Sequence, residues 1–316
     1  MSSVLSAPHF HDEAAALAYV EERVWPNGRI CPHCGEVDRS GPLKGKTNRI
    51  GLYKCYGCRK PFSVRVGTVM ESSHIPVHVW LQAMHLMASS KKGISANQLH
   101  RTLGITLKSA WFLSHRIREV MSEGYQRSSG QMGGAGSIIE ADETVFGPDP
   151  RKDTRVQRSR ERYSHEHLVP IFALVERGGE VRSFQIKSAN TRTLMGILQD
   201  QVSWQSRVMT DRSRAYYGVH RVFVGGHRTV DHTRGEYVRG DVHTNTVETF
   251  FSIFKRGLFG TYQHISEKHL GRYLAEFDFR YNQRIRLGVN DQARADKMIR
   301  GISGKRLTYA TPPFCS

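Results

Sequence analysis

The segment from His243 to Lys255, HTNTVETFFSIFK, decides how the rest of the chain is interpreted. Its apolar residues recur at helical spacing, and Phe250 and Phe254 would seat an amphipathic helix on a core. Glu248 and Lys255 are separated by almost two helical turns, so both side chains share one face and lie about 10 Å apart. A carboxylate and a cation held in this way suit a site that binds a metal ion and a phosphate together. The same pair is common on solvated helices, so the preceding segments decide its meaning.

The chain carries a large positive charge. It has 316 residues, with 46 Lys and Arg against 29 Asp and Glu, a formal net charge of +17. Such a surplus favours a polyanionic partner, most often nucleic acid and less often an anionic membrane. No apolar run reaches the length of a transmembrane helix, and the first residues lack the layout of a secretory signal. We therefore expect a cytoplasmic protein that binds nucleic acid and has no membrane partner.

Four of the five cysteines form two Cys-x-x-Cys pairs, Cys31 with Cys34 and Cys55 with Cys58. Their spacing is typical of a zinc ribbon, in which two tight knuckles hold one Zn2+ ion tetrahedrally. Because four thiolates leave no open coordination position, the zinc is expected to be structural. The fifth cysteine, Cys315, is interpreted as an incidental free thiol.

Residues 76–121 have helical texture throughout. A short helix from Ser95, a turn at Gly104 and a second helix from Leu107 predict a helix-turn-helix for DNA binding. The alternative is an ordinary helical hairpin between two domains. The residues predicted to face a DNA groove are Lys108, Ser109, His115 and Arg118.

From Ser137 onward the texture changes to strands. Strand, hairpin, helix, strand and helix follow one another, with a polar stretch at 227–242 before the last helix. This order is expected of an RNase H-like α+β core with a mixed sheet, in which acids from two strand ends and a helix converge. Asp142 ends the first strand, Asp211 ends the fourth, and Glu248 lies on the helix. Three such acids repel one another, so the site implies divalent cations.

Two Mg2+ or Mn2+ ions about 3.5–4 Å apart can activate a water or a 3′-OH and stabilise the leaving oxygen. Lys255 would hold a phosphate as a point charge. Two further acids lie beside Asp142 on the same strand. Glu140 shares its strand face and is expected to be peripheral, whereas Glu143 should face away. The segment 151–165 holds six Lys or Arg against two acids and is interpreted as a basic loop suited to phosphate contact.

Several segments resemble the DDE-type bacterial insertion-sequence transposases, specifically the subgroup with an N-terminal zinc ribbon. They are Trp25-Pro-Asn-Gly with CPHCG, ADET at 141–144, Met209-Thr-Asp211, GEYVRGDVHTNTVETFFSIFKRGLFGTY at 235–262 and HLGRYLAEFDFRYNQR at 269–284. The resemblance implies DNA transposition: hydrolysis at the element ends, followed by attack of the 3′-OH on target DNA.

Within this resemblance, Asp142 and Asp211 match the two aspartates of the family, and Lys255 matches its downstream lysine. Relatives have either Asn or Glu as the third ligand, so Asn245 and Glu248 are both candidates. Glu248 is favoured because its charge suits Mg2+ better and because it is seven residues from Lys255.

The chain is predicted to comprise five parts: 1–70 with the N-terminal helix and zinc ribbon, 71–121 with the helix-turn-helix, a linker at 122–136, the RNase H-like catalytic domain at 137–290, and a basic C-terminal tail at 291–316. The expected partner is double-stranded DNA, both terminal repeats and target. A homo-oligomer on DNA is expected because synapsis joins two ends. Two alternatives stay open: a metal-dependent nuclease or resolvase of the same fold, and a DNA-binding regulator with an inactive catalytic domain.

Overall fold

The computed structural model describes residues 3–45, 47–122, 130–147 and 168–308. Within these ranges no helix is long and apolar enough to cross a membrane. The predicted basic loop at 151–165, Cys315 and residues 123–129 of the predicted linker lie outside the described residues. The chain forms two compact units, Met1–Gly124 together with Gln283–Ser316, and Tyr125–Asn282.

The N-terminal part of the first unit contains a helix, a small antiparallel sheet and a group of three helices. Asp12 caps α1, since its carboxylate accepts the backbone N–H of Ala15 at 2.7 Å. Gly104 follows α3 with φ +65°, a left-handed conformation that glycine adopts without strain, and leads into α4. The elements are α1 (Glu13–Val24), β1 (Ser40–Pro42), β2 (Tyr53–Cys55), β3 (Pro61–Phe62), α2 (Val77–Ser89), α3 (Ala96–Leu103) and α4 (Leu107–Ser122).

The second unit is built on a five-stranded mixed sheet with the strand order β6-β5-β4-β7-β8. β4 pairs antiparallel with β5, and β5 pairs antiparallel with β6. On the other side, β7 lies between β4 and β8 and pairs parallel with both. This topology confirms the predicted RNase H-like α+β fold. The elements are β4 (Ile138–Phe146), β5 (Val169–Glu176), β6 (Val181–Gln185), α5 (Thr191–Gln201), β7 (Arg207–Asp211), β8 (His227–Val230), β9 (Val238–Arg239), β10 (Val242–His243), α6 (Asn245–Gly257) and α7 (Glu267–Asn282).

The stretch 227–242 is more ordered than its polar sequence indicates. It supplies β8, which extends the sheet beside β7, and the two-stranded ribbon of β9 and β10. Its first four residues lie at the edge of the sheet, where polar side chains stay hydrated on the open side. Hydrophobic periodicity is therefore a weak signal for this strand.

The two faces of the sheet carry different helices. On β5, Ile171, Ala173 and Val175 pack in a core with α6 and α7. The alternate residues Phe172 and Leu174 pack in a second core with α5. Residues paired directly across two neighbouring strands lie on the same face of the sheet. The register between β4 and β5 therefore also assigns each residue of β4 to one of the two faces.

Aromatic packing holds α6 in place on its face of the sheet. Phe254 meets Phe277 of α7 edge-on, with ring centroids 5.1 Å apart, and Phe250 meets Tyr281 at 5.8 Å. Phe250 and Phe254 are almost completely buried, as the sequence predicts. Such pairs contribute about 0.5–1.5 kcal/mol each beyond the burial of their area.

The last described segment belongs to the first unit. Asp291–Arg300 forms α8, and Arg294 donates to the carbonyls of Ala88 at 2.6 Å and Gln283 at 2.9 Å. Asp296 accepts from Arg23 on α1 at 3.0 Å. Residues 283–308 therefore pack with the N-terminal segments, which differs from the predicted boundary at 290 and from a separate tail. Contacts between segments far apart in sequence decide this assignment.

Candidate active site and zinc centre

The four cysteine sulfurs of the zinc ribbon lie together. All four Sγ atoms fall within 4.8 Å of one another, with Cys31–Cys58 at 3.8 Å and Cys34–Cys55 at 3.7 Å. A tetrahedral zinc site with Zn–S bonds of about 2.3 Å requires sulfur–sulfur separations of about 3.8 Å. The residues therefore fit a structural Zn2+ ion, as the sequence predicts.

Asp142 and Asp211 lie on adjacent parallel strands, β4 and β7. The last register pair between β4 and β7 joins Glu140 to Met209. Asp142 and Asp211 each lie two residues beyond that last pair on their own strands. Both side chains share the face on which α6 packs, since Asp142 is paired with Ala173 of that core.

Glu248 lies in the first turn of α6, and its charge acts on Asp142. The pKa of Asp142 is raised from its ordinary value of 3.8 to about 7, first by burial, then by the charge of Glu143, and further by the charges of Asp211 and Glu248. Carboxylates held this close repel one another, and a divalent cation among them would remove that repulsion. The three acids stay the predicted ligands of Mg2+ or Mn2+, since carboxylate oxygens are the ligands that these ions prefer; among the described residues, the four cysteines are the group whose ligand atoms already lie within reach of one ion.

Two neighbours orient the Glu248 carboxylate. Thr244, which is buried, donates its hydroxyl to Glu248 Oε1 at 2.7 Å, and His232 Nε2 lies 3.4 Å from the same oxygen. Neither residue was singled out by the sequence analysis as a site residue. The contact with His232 crosses from the loop after β8, so only the folded chain reveals it.

The other two predicted residues of α6 are accessible. Asn245 is the first residue of the helix and is exposed, and Lys255 is half-buried in the last turn. The described residues provide no ion pair to Lys255. The charge of Glu248 acts on Asp142, and the choice between Asn245 and Glu248 as metal ligand stays a prediction.

Glu143 lies on the opposite face of β4 from Asp142, as expected from strand alternation. Tyr216 donates its hydroxyl to the Glu143 carboxylate. Burial raises the pKa of Glu143, and the nearby charge of Asp211 raises it further. Glu143 thus adds to the negative potential of the site from behind the sheet.

Glu140 is not peripheral, contrary to the sequence-based expectation. Its carboxylate is completely buried and accepts hydrogen bonds from the first turn of α6 and from Arg177. A strand position facing a helix N-terminus can bury a carboxylate because backbone N–H groups and a cation compensate for lost hydration. The alternation of the strand indicated the face of Glu140, but nothing in the sequence indicated these partners.

The residues predicted to face a DNA groove separate into two pairs. Lys108 is exposed and Ser109 is half-buried in the first turns of α4. His115 and Arg118 are each only 1% exposed, and Arg118 donates to Ser114 at 3.0 Å inside the fold. Their burial is at odds with a groove-facing role, since α4 is covered along its second half.

Comparison with known proteins finds a transposase domain and a transposase zinc ribbon in this chain. Residues 133–282 match the ISXO2-like transposase domain, and residues 11–61 match the transposase zinc-ribbon domain. The chain is similar to a protein of Halobacterium salinarum described as an uncharacterized protein in transposable element ISH50. The two are 27% identical over 281 residues, which cover 86% of this chain and 91% of the other.

The domain match ends at residue 282, where the second compact unit also ends, and contains Asp142, Asp211 and Glu248. The ribbon match contains all four cysteines. The chain therefore combines an N-terminal transposase zinc ribbon with an ISXO2-like transposase domain.

Proposed function

We propose that this protein is a DNA transposase that cleaves at the ends of its element and joins the freed 3′-OH to target DNA. The observation that carries the proposal is the convergence of three acids within a transposase-family domain. Asp142 and Asp211 follow the paired residues Glu140 and Met209 on adjacent parallel strands, and the charges of Asp211 and Glu248 both raise the pKa of Asp142. Carboxylates arranged in this way match the requirement of phosphoryl transfer for divalent metal ions.

In this proposal Asp142, Asp211 and Glu248 hold Mg2+ or Mn2+. When bound, such ions activate the attacking oxygen and stabilise the leaving oxygen. The chain supplies the geometry: β4 and β7 hold the aspartates at a set spacing, and Thr244 orients Glu248 through its hydroxyl. The Glu248 side chain is 42% exposed, so it stays open to a substrate phosphate. Lys255, two turns along the same helix, would bind that phosphate as a point charge.

DNA would be held by the first unit and by the overall positive charge. Lys108 and Ser109 begin α4, the second helix of the predicted helix-turn-helix. The zinc ribbon also has a basic surface suited to phosphate contact. Its exposed cations are Lys44, Arg49, Lys54, Arg59 and Lys60. Because two element ends must be brought together, we propose a homo-oligomer on cytoplasmic, nucleoid-associated DNA.

The test is a cleavage and strand-transfer assay on DNA that carries the repeats flanking the gene. It compares wild type, Asp211→Asn, and the control Asp200→Asn on the exposed surface of α5. We expect Mg2+-dependent cleavage and joining by wild type and the control, and DNA binding without cleavage by Asp211→Asn. Retained cleavage by Asp211→Asn would remove that residue from the site.

The same assay distinguishes the two other activities. Cleavage by wild type without joining would indicate a metal-dependent nuclease or resolvase. Tight binding of the repeats by wild type without any cleavage would indicate a DNA-binding regulator.

A further inference from the structure

The buried carboxylate of Glu140 lies directly beneath the first turn of α6. Its Oε2 accepts the backbone N–H of Thr246 at 2.7 Å and that of Val247 at 3.1 Å, and its Oε1 accepts the Thr246 hydroxyl at 2.8 Å. These N–H groups belong to the start of a helix, where they have no partner within the helix. A strand residue more than a hundred positions earlier therefore caps α6.

The residue that would ordinarily cap this helix is occupied elsewhere. Thr244 precedes the first turn of α6 but makes no capping bond with its side chain. Its hydroxyl instead donates to Glu248. Capping by Glu140 thus leaves Thr244 available to orient the proposed metal ligand, so the two roles are divided between two residues.

Arg177 completes the arrangement from the turn after β5. Its Nε donates to Glu140 Oε1 at 2.6 Å, while its Nη1 donates to the carbonyl of Asp241 at 2.7 Å and its Nη2 to that of His243 at 2.9 Å. His243 Nδ1 lies 3.2 Å from Glu140 Oε1. One guanidinium therefore ties the carboxylate to the two residues by which the chain enters α6.

These contacts link the two sides of the proposed metal site. Glu140 and Asp142 share one face of β4 and are about 6.6 Å apart along the strand. On α6, the capped residues Thr246 and Val247 immediately precede Glu248. A shift of the α6 N-terminus relative to β4 would therefore change the distance between Asp142 and Glu248 directly.

We infer that Glu140 is a positioning residue that, with Arg177, sets the placement of Glu248 relative to Asp142 for metal binding. The inference rests on the proposed metal site. Glu140 is 0% exposed and its oxygens already accept from backbone, hydroxyl and guanidinium donors, so it has no role as a ligand. Separating Glu140 from Arg177 would leave a buried charge uncompensated, which costs free energy. The contact between these two side chains is therefore expected to stay formed.

The test compares Glu140→Gln with the matched control Glu276→Gln in the full-length zinc-loaded protein. Glu276 is also completely buried in the second unit and also pairs with an arginine, Arg280, but on α7. Two quantities are measured: the hydrogen exchange of the Thr246 and Val247 amides, and the affinity for Mn2+ from its electron paramagnetic resonance signal.

We expect Glu140→Gln to speed exchange at both amides and to weaken Mn2+ binding by about 10- to 100-fold, as is usual when the support of a metal ligand is removed. The side-chain NH2 group of Gln cannot accept the bonds that one carboxylate oxygen accepts. Glu276→Gln should change neither quantity. Arg177→Lys, which keeps the charge but loses the fork of donors, should give the same two effects in weaker form and serves if Glu140→Gln does not fold.

Faster amide exchange with unchanged Mn2+ affinity would overturn the positioning role and leave Glu140 as a helix cap only. Wild-type values for both quantities in Glu140→Gln would overturn the capping as well. If wild type binds Mn2+ no more tightly than Asp142→Asn, the proposed metal site itself is wrong, and the positioning role fails with it.

Discussion

The hydroxyl of Thr244 donates a 2.7 Å hydrogen bond to Glu248 Oε1, one helical turn along the chain. Thr244 is 1% exposed, so packing restricts the rotamer of its side chain. The Glu248 side chain is 42% exposed and has room for several rotamers. A hydrogen bond from a rigid donor favours the Glu248 rotamer whose Oε1 lies beside Thr244 and His232. This relationship leads to the first prediction.

Thr244→Val removes the hydroxyl but keeps the shape of the side chain. We expect DNA cleavage at limiting Mg2+ to fall by about 10-fold or more, because Glu248 loses the partner that orients it. The control is Thr249→Val on the same helix, where an exposed hydroxyl donates to the carbonyl of Asn245. Cleavage and Mg2+ dependence measured side by side decide the question, and equal activity in both variants would contradict the role of Thr244.

The third metal ligand is tested by Glu248→Gln beside Asn245→Ala. The Glu248 side chain is a negatively charged carboxylate, whereas that of Asn245 is a neutral amide. Glu248→Gln should therefore abolish Mn2+ binding and cleavage. Asn245→Ala should lower cleavage only several-fold while Mn2+ affinity stays near that of wild type. The opposite ranking in a Mn2+ titration would assign the position to Asn245.

Zinc should be required for the ribbon to fold. Cys31→Ser removes one of four thiolates from a segment with a very small core, so its folding depends on the metal. We expect bound zinc to fall and affinity for the element ends to drop by about 10-fold or more. The matched control is Cys315→Ser, which should keep one zinc per chain by elemental analysis. Full zinc content in Cys31→Ser would refute the four-cysteine site.

Asp278 predicts a pH dependence of stability away from the metal site. Burial raises the pKa of Asp278 from its ordinary 3.8 to about 7, although Ser183 donates to it from its N–H and its hydroxyl. In this range the folded state binds more protons than the unfolded state, so the free energy of unfolding falls as the pH rises from 4 to 7. The slope is at most about 1.4 kcal/mol per pH unit.

Asp278→Asn should remove this contribution, so its stability relative to wild type should rise with pH across the same interval. Urea unfolding at pH 5, 6, 7 and 8 measures both proteins. Parallel pH profiles for wild type and Asp278→Asn would contradict the raised pKa of Asp278.

The surface of α4 gives a prediction on DNA binding. Lys108→Ala should weaken binding for all sequences and reduce the salt slope by about 1, as expected when one phosphate contact is lost. Arg118→Ala, by contrast, removes a buried side chain and should lower the melting temperature with little change in the salt slope. Salt titrations by fluorescence anisotropy, together with thermal unfolding, would distinguish the two effects. A reduced slope in Arg118→Ala would return that residue to the interface.

Features that depend on short-range spacing were predictable from the sequence. Two Cys-x-x-Cys pairs predicted the zinc centre, because each knuckle is local. The strand ending in Asp211 and the amphipathic helix with Glu248 were also predicted, since both follow hydrophobic periodicity. The order of strands and helices predicted that Asp142 and Asp211 converge, and the family resemblance matched both to its two aspartates; β4 and β7 are adjacent parallel strands.

Features that depend on packing were not predictable. His115 and Arg118 lie on a helix with a mixed polar pattern, and only tertiary contacts show that they are buried. β8 has a polar sequence because it is an edge strand. The assignment of α8 to the first unit depends on bonds between residues some two hundred positions apart.

By itself the sequence determined the zinc ligands, the mixed α+β fold and the acids of the proposed site, since residue type and spacing carry that information. Tertiary structure alone decided what surrounds those acids: the cap from Glu140, the bond from Thr244, and the charges that raise the pKa of Asp142. The physical reason is that burial and electrostatic repulsion depend on distance in space. Residues separated by a hundred positions become neighbours only when β4, β7 and α6 pack together.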